Sequence, residues 1–190
     1  AFELDNTNTT YMDNVAGAMM DLELYNDAIE YFEKIIKIDS TDYLSYSRIG
    51  YIYTYELENH NKAIDYYNNA LKKLTENSRY YNQQELIKEL SDVNYEIAYN
   101  LYNVYKNNIN NVLLDKALVS VKKSIDLKQS AELDFENDKS YNLMGLIYNK
   151  LNKLEDAFKS FELANTFNEQ KDPEILYNLG SAYWFLENND

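Results

Sequence analysis

Between residues 141 and 165 the chain reads "YNLMGLIYNKLNKLEDAFKSFELAN". Tyr141, Met144, Tyr148 and Leu151 fall three, four and three residues apart, which draws one apolar stripe along a helix. The segment "NKLED" interrupts the stripe, and Ala157, Phe158, Phe161 and Ala164 begin another. The pattern predicts a helix, a short turn and a second helix. Gly145 lies inside the first helix, where glycine costs about 1 kcal/mol relative to alanine. A close helix–helix approach is the expected compensation.

The same arrangement recurs along the chain. Ala16 precedes Ala28 by 12 residues, Gly50 precedes Ala63 by 13, and Gly145 precedes Ala157 by 12. Four residues after each of these alanines comes a ring: Phe32, Tyr67 and Phe161. Three residues after each small residue stands Met19, Tyr53 or Tyr148. From Ala16 to Gly50 is 34 residues, and from Gly145 to Gly180 is 35.

A helix pair repeated every 34 residues, with a small residue, a tyrosine, an alanine and a phenylalanine at these offsets, resembles the tetratricopeptide repeat (TPR). Five units are expected within a single domain over 1–190, at about 9–42, 43–77, 78–131, 138–171 and 173–190. The third is irregular and the fifth stops after its first helix. In the irregular unit, Ala98 fills the small slot and Ala117 opens the second helix, 19 residues on. The stretch "NNINNVLL" is read as a lengthened turn, with Asp115 as an N-cap. The preceding "SRYYNQQELIKEL" is read as a helix extended towards its N-terminus. Asn26, Asn61 and Asp172 are expected caps, with Pro173 at a first helical position.

The resemblance implies an all-α fold: a right-handed α-solenoid of antiparallel helix pairs, a TPR-like superhelix. It also implies a protein-interaction scaffold that takes a peptide or protein segment in a concave groove lined by the first helices. Geometry places Asp13, Arg48, Tyr51, Tyr55, Tyr95, Tyr99, Tyr102, Asn142, Asn149, Tyr177, Ser181 and Trp184 on that lining, with Thr54 among its neighbours. Tyrosine and asparagine suit such a surface, the one for apolar contact with a hydroxyl handle, the other for pairing with a peptide backbone.

TPR domains that hold the acidic C-terminal tails of chaperones use lysine, asparagine and arginine at set positions of three successive first helices. The matching slots here are Asp13, Gly17, Arg48, Asp92 and Glu96, or, one unit later, Ser47, Tyr51, Glu96, Lys139 and Leu143. Carboxylates stand where cations are needed, so no binding to an acidic chaperone tail is expected.

Charge narrows the partners further. Thirty-two acidic residues against 18 basic ones give a formal net charge of −14. That excess repels nucleic acid and anionic membrane surfaces, and favours a neutral or basic protein or peptide. No apolar run approaches the length of a membrane-spanning helix, so no membrane insertion is expected. With no cysteine, disulfides and thiolate chemistry are excluded. The chain begins without methionine, at a processed or trimmed end. The compartment is not fixed by the sequence, with the cytoplasm favoured.

No catalytic constellation stands out. His60 is the only histidine and is read as an exposed turn residue. Glu155 with Asp156, and Glu132, Asp134, Glu136 and Asp138, are acidic groupings without the glycine and spacing of a calcium loop. No enzyme activity, metal or cofactor is expected. Two further functions stay open: a regulatory or docking segment of a larger enzyme or transcription regulator, and an array that self-associates through its C-terminal helix. In that helix Leu176, Leu179, Gly180, Tyr183 and Leu186 are expected to face the fourth unit, while Trp184 and Phe185 stand clear of it.

Overall fold

A computed structural model of the chain describes residues 8–131, 137–169 and 171–187. The acidic residues Glu132, Asp134 and Glu136 lie outside them. Among the described residues there are nine α-helices and no strand, an all-α, TPR-like solenoid. The helices fall into two compact units, residues 1–80 and 81–190.

The first unit holds α1 (Thr9–Asp21), α2 (Tyr25–Ile38), α3 (Tyr43–Tyr51) and α4 (His60–Glu76). Its core follows from the stripes: Met12, Ala16, Ala28, Ile29, Phe32, Ile35, Ile49 and Ile52 form one buried cluster. The small residues act where the helices of a pair cross. Ala16, Ala28 and Ala63 are fully buried. A Cβ on Gly50 would stand 3.0 Å from the Tyr67 ring.

The turn from α1 to α2 shows why it needs only three residues. Glu23 donates its N–H to Met20 O, and Leu24 donates to Met19 O. Glu23 is left-handed, with φ 60°. This pair of bonds is the Schellman arrangement, which satisfies carbonyls that the end of a helix would leave unpaired. The turn after α7 repeats it, with Asn152 and Lys153 donating to Asn149 O and Tyr148 O.

Between α3 and α4 the spacing is one residue longer, and the backbone shows where that residue goes. Ile52–Glu56 is a π-helical turn, closed by Leu57 N–H to Ile52 O at 3.0 Å and followed by Asn59 N–H to Tyr53 O at 2.7 Å. A π-turn adds one residue per turn without breaking the helix. Thr54 is drawn inward by it and donates its hydroxyl to Gly50 O.

The second unit holds α5 (Gln83–Asn107), α6 (Asn111–Ser130), α7 (Asp138–Lys150), α8 (Leu154–Phe167) and α9 (Pro173–Glu187). Ala98 and Ala117 are fully buried in the α5–α6 pair. The 19-residue separation between them is taken up by long helices and not by a long turn. The expected cap at Asp115 is therefore corrected. Asn110 caps α6 by accepting from Val112 N–H, and the apolar stripe Leu114, Ala117, Val121 runs back through the "NNVLL" segment. The expected caps Asn26 and Asn61 are also corrected: both lie inside helices, and Asn59 caps α4. Asp172 does cap α9, accepting from Glu174 N–H. Upstream, "SRYYN" is a short 3₁₀ turn at Ser78–Tyr80 and a bend, and the continuous helix begins only at Gln83.

The α5–α6–α7 contact carries a polar seam. Ser91 Oγ donates to Ser124 O at 2.9 Å, lies 2.9 Å from Ser124 Oγ, and Ser124 Oγ is 3.3 Å from Ser140 Oγ. Beside it, buried Lys128 pairs with Asp92 at 3.2 Å. Further along, Tyr141 stacks on Phe167 at 5.8 Å between centroids and accepts from Gln129.

Candidate functional site

The expected lining residues divide between the two compact units, and each set is described within its own unit. In the first, Asp13 of α1 and Arg48 of α3 form an ion pair at 3.4 Å, both half-exposed. Arg48 also lies over the Phe32 ring, 5.6 Å from its centroid. The pair ties the two first helices together and neutralises Arg48. Tyr51 and Tyr55, one π-turn apart, are exposed and tilted against each other at 4.8 Å. Thr54, expected beside them, is buried instead, because its hydroxyl caps a helix carbonyl.

Glu56 completes this edge by accepting from the Tyr25 hydroxyl at the start of α2. That bond to a carboxylate, with partial burial and the charges of Glu56 and Glu23 nearby, pushes the half-buried Tyr25 phenol up to about 12.

In the second unit the first helices α5, α7 and α9 bring together a larger set. Tyr95 and Tyr99 are stacked along α5, with centroids 6.3 Å apart and planes within 22°. Asn178 of α9 donates to Asn142 Oδ1 of α7 at 2.9 Å, and Asn142 in turn donates to Glu174 of α9 at 3.5 Å. Asn178 and Glu174, one turn apart on α9, thus both reach the same asparagine of α7. Asn142 is itself buried and serves as the link between the two helices. Tyr102 is buried too, with Lys106 over its ring at 5.1 Å. Asn149 is exposed at the far end of α7, and Ser181 is half-buried on α9. Tyr177 and Trp184 are exposed, at 74% and 58%.

Sequence reasoning overlooked Asn178 and Glu174 as a linked pair. The signal was present: they stand four residues apart on α9, on one face, with a polar residue opposite on the preceding first helix.

Carboxylates set the field over this side. Burial raises the Tyr95 pKa, and the charges of Glu96, Glu174 and Asp138 raise it further. Burial also raises Tyr102. In the first unit burial and a hydrogen bond to Glu33 push Tyr66 up to about 12. The sign is fixed by the neutral form being the favoured one. Each phenol is harder to ionise folded than unfolded, so its contribution to stability is complete below the unfolded value of about 10 and is lost as pH rises through the folded one. The expected outcome is a steep loss of helicity above about pH 10, concurrent with a rise in tyrosinate absorbance. Tyr95→Phe moves that loss to higher pH; an unchanged midpoint would count against the assignment.

Among the described residues no three His, Cys, Asp or Glu side chains are placed to hold a metal ion, and no helix is long and apolar enough to cross a membrane. His60 is the first residue of α4 and not a turn residue. An open cleft of about 250 Å³ in the first unit is lined by Thr9, Thr10, Asp13, Ile35, Asp39, Asp42 and Leu44. Its carboxylates already have partners: Asp13 pairs with Arg48, Asp39 accepts from Thr41, and Asp42 caps α3 through Ser45. The bonds from Thr41 hold the Asp39 carboxyl below the usual range.

Comparison with known proteins agrees with this architecture. Residues 14–42, 43–72 and 138–171 each match the tetratricopeptide repeat family. No curated protein sequence matches the chain. Among solved structures, the fold is similar to MamA of Desulfovibrio magneticus RS-1, with a TM-score of 0.73 at 13% identity over 97% of this chain and 87% of that one. It is also similar to YrrB, a TPR protein with an unusual peptide-binding site (TM-score 0.64, 17% identity, 98% of this chain and 81% of that one). A thermophilic TPR protein of Thermus thermophilus, TTC0263, gives 0.58 at 18% identity, over 94% of this chain and 82% of that one. At these identities the likeness is one of fold. With three matching repeats set in helix pairs that cross at small residues, the chain belongs to the tetratricopeptide-repeat family, a family of protein-interaction scaffolds.

Proposed function

We propose that this chain is a non-catalytic scaffold that binds a neutral or basic peptide segment on the first helices of its second unit. The observation that carries this reading is the stacked Tyr95–Tyr99 pair on α5, together with the Glu174–Asn142–Asn178 link between α7 and α9. Stacked rings offer apolar area that loses few rotamers on binding. The asparagines offer donors and acceptors in fixed places. Glu96, Asp138 and Glu174 favour cationic side chains over anionic ones. In the first unit Tyr51 and Tyr55 offer a smaller patch of the same kind.

Tyr102 and Asn142 support this surface from below, since both are buried. In the first unit the Arg48 charge is neutralised by Asp13. Acidic chaperone tails are therefore poor ligands on this reading.

A peptide library selected against the protein tests it. Basic and aromatic sequences are expected to dominate. Tyr99→Ala is expected to weaken a selected peptide at least about tenfold, or 1.4 kcal/mol, while Val119→Ala on exposed α6 leaves it unchanged. Selection of acidic peptides, or equal effects of the two substitutions, would falsify the reading.

A further inference from the structure

The turns within the helix pairs of the first unit share a pattern. Leu22 is the C-cap of α1 and Leu57 that of the π-turn, and each is followed by a glutamate, Glu23 or Glu58. Both glutamates are left-handed, with φ 60° and 49°. That region suits glycine or asparagine and is costly for other side chains. The matching turn after α7 carries Leu151 and Asn152, with Asn152 at φ 57° and Leu151 half-buried. In the first unit both leucines are exposed, Leu22 at 69%. A carboxylate thus stands at the strained position twice, each time beside an open apolar side chain.

The two turns form one patch. The Tyr25 hydroxyl, next to exposed Leu24, donates to Glu56 of the other turn. Tyr51 and Tyr55, exposed and 4.8 Å apart, extend the patch along the π-turn. Residues 1–33 and 49–61 contain no lysine or arginine, while Asp21, Glu23, Glu56 and Glu58 are exposed at this edge. Lys62, the next cation, is turned onto the Tyr53 hydroxyl and ring. The patch lies where α1 and the π-turn end and where α2 and α4 begin. Segments joined to the unit before Thr9 or after Glu76 attach at the far ends of α1 and α4, roughly 20–25 Å away. The patch is an edge made of turns and not the end face of a helix stack.

Exposed apolar patches rimmed by polar residues mark interaction sites. We propose that this turn edge docks a basic, amphipathic segment of another protein. Its apolar side chains lie on Leu22, Leu57 and the Tyr51–Tyr55 pair, and its arginines on Glu23, Glu56 and Glu58. Arginine meets both demands of such a rim, because its planar guanidinium stacks on tyrosine and pairs bidentately with a carboxylate. Acidic segments, nucleic acid and anionic lipid are repelled here, and a second copy brings the same carboxylates to the same place. The edge shares no residue with the Tyr95–Tyr99 face of the second unit, so the two sites are tested separately.

The probe is a synthetic helical peptide with leucine along one face and arginine along the other, followed by fluorescence anisotropy of a label on the peptide. The control peptide has the same composition in shuffled order, which keeps the charge and removes the apolar face. Saturable binding is expected, at least about tenfold tighter than that of the control. Glu23→Asn with Glu58→Asn is expected to weaken it at least about tenfold while melting is unchanged or raised, because asparagine suits the left-handed region. Leu22→Gln, at the most exposed leucine of the edge, is expected to weaken it to a similar extent with helicity unchanged. Tyr99→Ala is expected to leave the affinity as it was.

Equal binding of the two peptides reduces the attraction to bare net charge and overturns the proposal. So does affinity that survives the paired glutamate substitutions. Affinity lost only with Tyr99→Ala also overturns it, by seating the peptide on the second unit, and leaves the function proposed for that unit standing. A doubled sedimentation mass that Leu22→Gln abolishes overturns it in favour of a second copy. Retention on anionic vesicles that Leu22→Gln abolishes overturns it in favour of a membrane surface.

Discussion

Phe161→Ala is expected to cost the second unit about 3–5 kcal/mol, and Gly145→Ala about 1–2 kcal/mol although alanine is the better helix former. The two residues are halves of one contact. A Cβ on Gly145 would stand 2.5 Å from Phe161 Cε1 and 2.6 Å from Cδ1. The ring cannot give way, because it is 2% exposed and held on all sides. Overpacking then outweighs the gain of about 1 kcal/mol in helix propensity.

The other glycines calibrate the effect. Gly17 has nothing within 4 Å of its Cβ position, so Gly17→Ala is expected to stabilise by up to about 1 kcal/mol. Gly50, at 3.0 Å from the Tyr67 ring, falls between the two. The double variant Gly145→Ala, Phe161→Leu recovers part of the loss, because the shorter side chain vacates the overlap. Unfolding of two compact units need not be a single transition. Hydrogen exchange at α7 and α8 amides is therefore the suitable measurement. Additive effects of Gly145→Ala and Phe161→Leu would show that the contact does not couple them.

The second large effect is an asymmetry across the Asp92–Lys128 pair. The Lys128 side chain is only 8% exposed and lies beside the Ser91–Ser124–Ser140 seam, while Asp92 is 47% exposed. Asp92→Ala takes the carboxylate from a nearly buried ammonium. Breaking a buried pair costs about 3–5 kcal/mol. Water reaches the Asp92 end, which lowers the expectation to about 1–3 kcal/mol. Lys128→Met leaves Asp92 solvated and fills the same volume, so it is expected to be neutral or mildly stabilising. Denaturant unfolding of the two variants checks this. Equal destabilisation by both would mean that the pair is held by its mutual attraction and not by the burial of one partner.

These contacts explain which parts of the molecule were legible in the sequence. The helix pairs were legible because small residue, alanine and ring recur at set offsets, and each of the three has a steric task at a crossing. The spacing called for a close helix approach at Gly145, but that the Phe161 ring makes the contact is shown only by the coordinates. The caps were less legible. Asparagine is so frequent around residues 59–61 and 107–111 that several positions satisfy the cap rule, and only the backbone selects Asn59 and Asn110. The long α5 and α6 were misjudged at "NNINNVLL" because polarity suggested a turn, while Leu114 already belonged to the buried stripe.

The faces of α9 were misjudged in a similar way. Leu176, Gly180 and Tyr183 were expected to face the fourth unit, but it is Ile175 that is buried, and Leu176 and Tyr183 are about half-exposed. The buried side of α9 is turned by about one residue relative to that expectation, and Tyr183 meets Phe158 of α8 with ring centroids 6.2 Å apart. For the candidate binding surface, spacing could place Tyr95 and Tyr99 on one face of α5. It could not reveal that Asn142 would be buried as a link between helices, because that depends on how closely α9 approaches α7.

The π-turn at Ile52–Glu56 has a consequence for how such a chain can change length. It absorbs the residue by which the second repeat exceeds the first and fourth, and it does so before α4 begins. The buried stripe of α4, Ala63, Tyr67, Ala70 and Leu74, is therefore in phase with its neighbours despite the longer spacing. An insertion of one residue in a helix ordinarily rotates everything after it by about 100°. Here the slack is local, so the repeat tolerates an indel without loss of phase, and variation in the spacing between first and second helices is no measure of damage to the repeat.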